Sequence, residues 1–310
     1  MKIAVLAGGV GGARFVQALT EVVDPRELTV VANVGDDLEV HGLYVSPDLD
    51  TLLYRLAGLG DEERGWGRAG ETWNARETVE LLGGEAWFQL GDRDLGLHLV
   101  RTDALRGGAA LSAVTKRIAR AVGLELTLLP ATDDRLRTRI RTPAGEFEFQ
   151  EWFVARGHRD RAHEVVYDGA AAARAAPGVL AALEEAELIA IAPSNPFVSI
   201  GPILAVAEIR AAVERRRDRV AAVSPLIGGR AVKGPADAMF NSLAGGTGAG
   251  QVADYYRGLI GALVLDEADA GDAETVAERG VRPLVTRTLM SEPDARQALV
   301  ETVLGLVPAS

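Results

Sequence analysis

The first 34 residues constrain the fold more than any other stretch of the chain. Lys2 to Ala7 is a short apolar run that stops at glycines, which suits a strand buried on both faces of a parallel sheet. Residues 13–23 place Phe15, Leu19, Val22 and Val23 at helical spacing, and Asp24-Pro25 ends that helix. Leu28 to Val34 reads as a second buried strand. A strand–helix–strand unit this short requires a right-handed crossover and a parallel sheet. Apolar runs at 124–129, 188–192, 220–224 and 261–265 add strands, with helices expected at 111–122, 170–186 and 203–217. The expected fold is therefore α/β, a doubly wound, Rossmann-like, mostly parallel sheet forming a single domain over 1–310. Two insertions are expected in it. Residues from approximately 51 to 110 are helix-like, glycine-rich and hold Trp66, Trp73 and Trp87, which reads as a cap over the carboxyl edge of the sheet. Residues from approximately 135 to 165 alternate on both sides of Pro143-Ala144-Gly145, a β-hairpin. Ligands of such sheets sit at the carboxyl ends of the strands.

Composition excludes several classes of function. With 33 basic and 44 acidic residues the formal charge is −11, which argues against nucleic acid or an anionic membrane as partner. The absence of Cys removes disulfides, thiolate catalysis, iron–sulfur clusters and Cys-bound zinc. The four histidines, His41, His98, His158 and His163, have no paired metal-ligand spacing, and no Gly-x-Ser-x-Gly elbow occurs. No apolar run reaches the roughly 20 residues of a membrane span. The first strand runs into a glycine loop with no cleavage signal, so the expected location is the cytoplasm.

Six segments carry polar chemistry. Gly8-Gly9-Val10-Gly11-Gly12-Ala13-Arg14 follows the first strand and opens a helix, where glycines let phosphate approach free N–H groups. It is neither a dinucleotide fingerprint, because Arg14 stands at the third glycine position, nor a Walker loop. A tight turn without ligand is the alternative. Asn33-Val34-Gly35-Asp36-Asp37 ends the second strand; its adjacent carboxylates suit a hard cation such as Mg²⁺ or a helix N-cap. Asn33 stands where an NAD enzyme places an acid, which disfavours a nicotinamide oxidoreductase. Asp48 and Asp50 flank Leu49 before a helix-like run, one suited to an N-cap and the other to a metal or a hydroxyl. In Gly91-Asp92-Arg93-Asp94, Arg93 forms either a surface ion pair or a clamp on a planar or anionic ligand. Ser194, Asn195 and Pro196 follow a buried strand and suit a base, a ribose or an ordinary turn. Lys233, beyond Ser224-Pro225-Leu226-Ile227-Gly228-Gly229, is a candidate phosphate contact. Trp66 and Trp73 either stack on a flat ligand or pack the cap.

Taken in order, GGVGGAR (8–14), NVGDD (33–37), SPDLDT (46–51), GWG (65–67), ETWN (71–74), LGDRD (90–94), FQEWF (149–153), APSNP (192–196), SIGPIL (199–204) and SPLIGG (224–229) resemble the 2-phospho-L-lactate transferase family of coenzyme F-420 biosynthesis. The resemblance covers nearly the whole chain. It implies transfer of a phosphoenolpyruvyl or 2-phospholactyl group from a guanosine-diphosphate-linked donor to the ribityl hydroxyl of the deazaflavin Fo. GMP leaves, Mg²⁺ is required, and the protein is a homodimer. The GGVGGAR loop looks like the actinobacterial branch, associated with the phosphoenolpyruvate donor. On that reading Asp36, with Asp37 or Asp48, holds Mg²⁺ across the diphosphate. Asp50 and Arg93 bind Fo, with Asp50 near its hydroxyl as a base. Gly8, Gly9, Gly11, Gly12 and Lys233 hold phosphates, with Asn33 in the substrate set, and Ser194 to Pro196 hold guanosine. A nucleotide-sugar-binding regulator of the gluconeogenesis-factor type is the alternative, lacking the acceptor chemistry read into the cap. An acidic protein that binds a polyanion must concentrate attraction locally, at helix N-termini, Arg14, Arg93, Lys233 and a bound cation.

Overall fold

The computed structural model describes residues 1–307. Its centre is a seven-stranded sheet built of β1 (Ile3–Ala7), β2 (Leu28–Ala32), β3 (Thr127–Pro130), β4 (Leu188–Ile191), β5 (Val220–Val223), β6 (Ala262–Asp266) and β7 (Arg282–Thr286). The order across the sheet is β7-β6-β5-β4-β1-β2-β3, and every neighbouring pair is parallel. Every residue of β1, β4, β5 and β6 is buried, which is why these runs are continuously apolar and do not alternate. Strand order reverses between β1 and β4, so the crevice outside their carboxyl ends is the topological switch point.

The first helix, α1 (Gly9–Thr20), begins inside the glycine run and buries Phe15, Val16 and Leu19 against the sheet. The neighbours of its glycines explain most of that run. A Cβ at Gly8 would lie 2.3 Å from Asp48 Oδ2, one at Gly11 2.5 Å from the Pro193 carbonyl oxygen, and one at Gly12 2.7 Å from Ser194 Oγ. Only Gly9 is uncrowded, and it needs glycine for its φ of +65°. Ser194 also clasps the loops after β1 and β4 together, accepting from Gly8 N at 3.3 Å and donating to Gly8 O at 2.7 Å.

Between β2 and β3 run a small hairpin (Leu38–Val40 and Leu43–Val45) and four helices, α2 (Pro47–Leu56), α3 (Asn74–Leu81), α4 (Asp92–Arg106) and α5 (Leu111–Ala121). Ser46 is the N-cap of α2, so Asp48 and Asp50 both lie within its first turn and neither caps it. In the loop between α2 and α3, the Arg64 guanidinium sits 5.1 Å from both the Trp66 and Trp73 rings. Trp87 packs on the separate apolar cluster of Leu38, Val40, Val45 and Leu90. After β3, a three-stranded antiparallel sheet pairs 137–142 with 145–148 and with 164–168, turning where the sequence places the hairpin.

Several elements differ from expectation, among them the strand expected at 124–129, which runs Thr127–Pro130. The Ala-rich stretch expected to be helical from 170 is helical only over Val179–Glu185, after Gly178 at φ +92°. The helix expected over 203–217 breaks at Val206 into Gly201–Ala205 and Ala207–Arg215. The edge strand β7 has no counterpart in the sequence reading because Pro283 interrupts it; an edge position is where a strand tolerates proline. Arg216 and Arg217, next to the end of the second helical piece, donate to the backbone carbonyls of Leu183 and Ile260.

Two substitutions test the reading of the glycines. Gly11→Ala, forced against a backbone carbonyl, is expected to lower unfolding stability by about 1–3 kcal/mol. Gly96→Ala, on α4 with open space around it, is expected to raise it by roughly 0.5–1 kcal/mol. Urea unfolding of the two variants beside the wild type measures both signs.

Candidate active site

A cavity of about 710 Å³ opens at the switch point, within the usual range for a small-molecule site. The loops after β1, β4 and β5 form its floor, and Thr288 to Ser291 beyond β7 extend it. The first turn of α2, Trp66 in the cap loop, the first turns of α4 and the segment Phe149–Val154 form its walls.

Asn33 organises one wall. Its Oδ1 accepts from Gly35 N at 2.7 Å, which fixes the amide. Its Nδ2 then donates to Asp36 Oδ1 at 2.8 Å and to Asp48 Oδ2 at 2.9 Å. Gln150 Nε2 holds the other oxygen of Asp36 at 2.8 Å. Burial, with Asp48 and then Asp37 adding repulsion, raises the Asp36 pKa well above the ordinary carboxylate range, and burial brings Asp48 up to about 6. Two buried carboxylates joined through one amide and facing a cavity are a receptor for positive charge.

Asp37 is not part of that pair. Its oxygens accept from Ser46 Oγ at 2.6 Å and Tyr44 Oη at 2.7 Å, and burial raises it to about 7. It does not line the cavity. The expected trio of Asp36, Asp37 and Asp48 is thus reduced to Asp36 and Asp48, because successive residues of the Asp36-Asp37 turn point to different sides. Among the described residues no three His, Asp or Glu side chains converge as a metal cage. The pair fits Mg²⁺ all the same, since that ion takes one or two carboxylates and completes its shell with water and substrate oxygens.

The expected acceptor residues are rearranged. Asp50 lines the cavity, but both its oxygens are engaged by the buried Arg101 guanidinium, through Nη1 at 2.9 Å and through Nη2. With both oxygens on Arg101, neither is left free to take a substrate hydroxyl, which removes the reason for that assignment. Arg93 is exposed and outside the cavity, its guanidinium beside Gly70 and its N–H on Glu71 Oε2 at 2.8 Å. In its place the cavity receives Tyr54, Asp94 and His98, none of which the sequence reading selected. The Asp94–His98 spacing of four on a helix was the available signal.

Gly8, Gly9 and Gly11 line the cavity, whereas Gly12 and Asn33 stand behind it. Ser194 and Asn195 also line it, although Ser194 is engaged by Gly8 and Asn195 Oδ1 accepts from Phe197 N at 2.9 Å. Pro196 is buried outside it, its carbonyl accepting from Tyr255 Oη at 2.7 Å. Lys233 and Arg14 are the two lysine or arginine side chains on the lining, and neither has an ion-pair partner among the described residues. Lys233 Nζ lies directly under the cap loop, 2.5 Å from where a Cβ at Gly65 would stand.

This geometry defines a doubly wound α/β protein whose switch-point cavity is lined by a carboxylate pair and two basic side chains without ion-pair partners among the described residues. Residues 3–297 match the family model of the 2-phospho-L-lactate transferase CofD, and the chain belongs to that family. Proteins named phosphoenolpyruvate transferase are similar over their whole length. The one from Streptomyces griseus is 41% identical, covering 99% of this chain and 98% of its own. The one from Nocardia farcinica is 40% identical over 98% and 94%, and the one from Mycolicibacterium smegmatis is 39% identical over the full length of both. Among solved structures, protein BH3568 of Bacillus halodurans, a member of the UPF0052 family, superposes with a TM-score of 0.66 at 14% identity, covering 98% of this chain and 99% of that one. That likeness concerns the fold alone. No single helix among the described residues is long and apolar enough to cross a membrane.

The Asp50–Arg101 pair makes a stability prediction. Arg101→Met leaves a carboxylate buried without its partner and is expected to cost about 3–5 kcal/mol, whereas the double variant Asp50→Leu/Arg101→Met regains most of that loss. Equilibrium unfolding of the two variants is the measurement.

Proposed function

We propose that this chain transfers a phosphoenolpyruvyl group, or the related 2-phospholactyl group, from a guanosine-diphosphate-linked donor to the ribityl hydroxyl of the deazaflavin Fo. The products are GMP and dehydro coenzyme F-420-0, or F-420-0 itself for the lactyl donor. The acceptor oxygen forms a bond to the phosphorus that carries the three-carbon group. The bridging P–O bond of the diphosphate breaks, GMP departs with that oxygen, and the hydroxyl proton is released. Family membership supports the reaction class, and the names of the relatives favour the phosphoenolpyruvyl donor. The carrying observation is the Asn33-linked pair of Asp36 and Asp48, sharing one cavity with Arg14 and Lys233, which have no ion-pair partner among the described residues.

Phosphoryl-type transfer needs little covalent help from a protein; positioning and charge neutralisation supply most of the rate. Asp36 and Asp48 would hold Mg²⁺, which when bound neutralises diphosphate charge. Asn33 and Gln150 keep the two carboxylates aimed at the cavity. Arg14 and Lys233 attract the donor's phosphates, and the uncapped N–H groups of the first α1 turn add a further anion-binding element. Phe149, Phe153 and Trp66 give the cavity the flat apolar faces that a fused-ring acceptor needs. A homodimer in the cytoplasm is part of the same proposal.

The decisive assay incubates the protein with Fo, Mg²⁺ and each candidate donor and weighs the product; the two coenzyme products differ by two hydrogens. Turnover is expected with the phosphoenolpyruvyl donor, to stop on chelation, and to return with Mg²⁺. Asp36→Asn is expected to lower kcat by about 10²-fold or more while the protein stays folded. Turnover unchanged in Asp36→Asn would remove the cation from that pair, and absence of any product would remove the reaction.

A further inference from the structure

One side of the cavity wall has a built polar site that the roles above leave unused. Asp94, in the first turn of α4, presents its side chain to the cavity with 15% of its surface open. Its Oδ1 accepts from the Tyr54 hydroxyl and lies 3.2 Å from His98 Nε2. His98 is 1% exposed, and its buried Nε2 makes no well-aligned hydrogen bond, its approach to Asp94 being one of distance alone. Arg101 Nη1 lies 3.4 Å from His98 Nδ1, and a guanidinium can only donate. Nδ1 is therefore the acceptor, and Nε2 carries the proton that faces Asp94. The other carboxylate oxygen, Oδ2, has no hydrogen-bond partner among the described residues. Glu71 accepts from Asp94 N at 2.9 Å and so fixes the backbone below the side chain. A few ångströms away, Asp50 has the opposite standing, with both its oxygens on Arg101.

We infer that Asp94 is the carboxylate that receives a hydroxyl of the acceptor substrate, with Tyr54 and His98 as the positioning residues that hold it. The inference rests on the transferase reading above and deepens it. It places the acceptor's polyol at the α2–α4 side of the cavity and leaves Asp50 as the counter-ion of Arg101. The chemistry is hydrogen bonding alone: the substrate O–H donates to Oδ2 while Oδ1 stays on Tyr54 and His98. Burial by itself would raise the Asp94 pKa, but its contacts with His98, Tyr54 and Arg101 outweigh burial and hold it below the ordinary value, so the side chain is an ionised acceptor. A charged acceptor held in this way loses little further freedom when a substrate hydroxyl binds it.

The test is titration of Fo into the protein, followed by fluorescence, beside the affinity for GDP and a thermal melt. Asp94→Asn is expected to weaken Fo binding about tenfold or more while GDP affinity and melting stay near wild type. His98→Ala is expected to weaken Fo binding by a smaller factor, and His98→Gln, whose amide can still donate to Oδ1, to restore part of it. Tyr54→Phe, which keeps the ring and loses only the donor, serves if Asp94→Asn fails to fold, with weaker Fo binding and unchanged GDP binding expected. Wild-type Fo affinity in Asp94→Asn overturns the inference. So does a parallel fall in Fo and GDP affinity, or His98→Gln behaving as His98→Ala. A wild-type protein that binds no Fo at all overturns the acceptor reading itself, a result distinct from the variant outcomes.

Discussion

Two carboxyl groups held out of water next to each other are the condition on which the rest of this site depends. Asp36 and Asp48 come from different parts of the chain, one from the turn after β2 and one from the first turn of α2. Left alone they would repel, and burial would favour their neutral forms. One amide, Asn33, donates to both, and the peptide of Gly35 keeps that amide from turning over. Asn33 directly follows β2, so the carboxyl end of that strand sets where the amide meets the two carboxylates. The closeness of Asp48 to Gly8 carries that constraint onto the loop after β1. The loop after β4 is bound to the same place through Ser194.

The order of the sheet puts these loops at a reversal, and a reversal leaves a crevice whatever chemistry later fills it. The family's chemistry then depends on which side chains the loops and the cap lower into that crevice. On one side are the paired carboxylates and the two cations. On the other is a network of Arg101, Asp50, His98, Asp94 and Tyr54 spanning α2 and α4. The two sides differ in kind. The first holds two carboxylates that share one amide and two cations without an ion-pair partner among the described residues. In the second most groups hold one another, with His98 Nε2, Arg101 Nε and one Asp94 oxygen left without a hydrogen bond.

Much of the fold was legible in the sequence because buried parallel strands have no polar face to confuse the pattern. The βαβ opening, the strands at 188, 220 and 262 and the hairpin turn at 143–145 follow directly from apolar runs and turn residues. Local chemistry was less legible. Asp36 and Asp37 are adjacent in sequence, yet a turn sends one to the cavity and the other to Ser46 and Tyr44. Asp50 reads as a free carboxylate until Arg101, 51 residues away, is seen to hold it. Arg93 and Asp94 exchange importance because a helix presents neighbours on different faces. Edge strand β7 was hidden by a proline that only its position at the edge permits.

The glycine run after β1 has a consequence beyond this active site. Three of its four glycines answer to protein atoms: a carboxylate, a carbonyl and a hydroxyl of the same chain. Each would be required even in a descendant that had lost its ligand and its reaction, provided the clasp between the two loops survived. Such a run therefore reports how the loops after β1 and β4 meet and does not by itself testify to the chemistry.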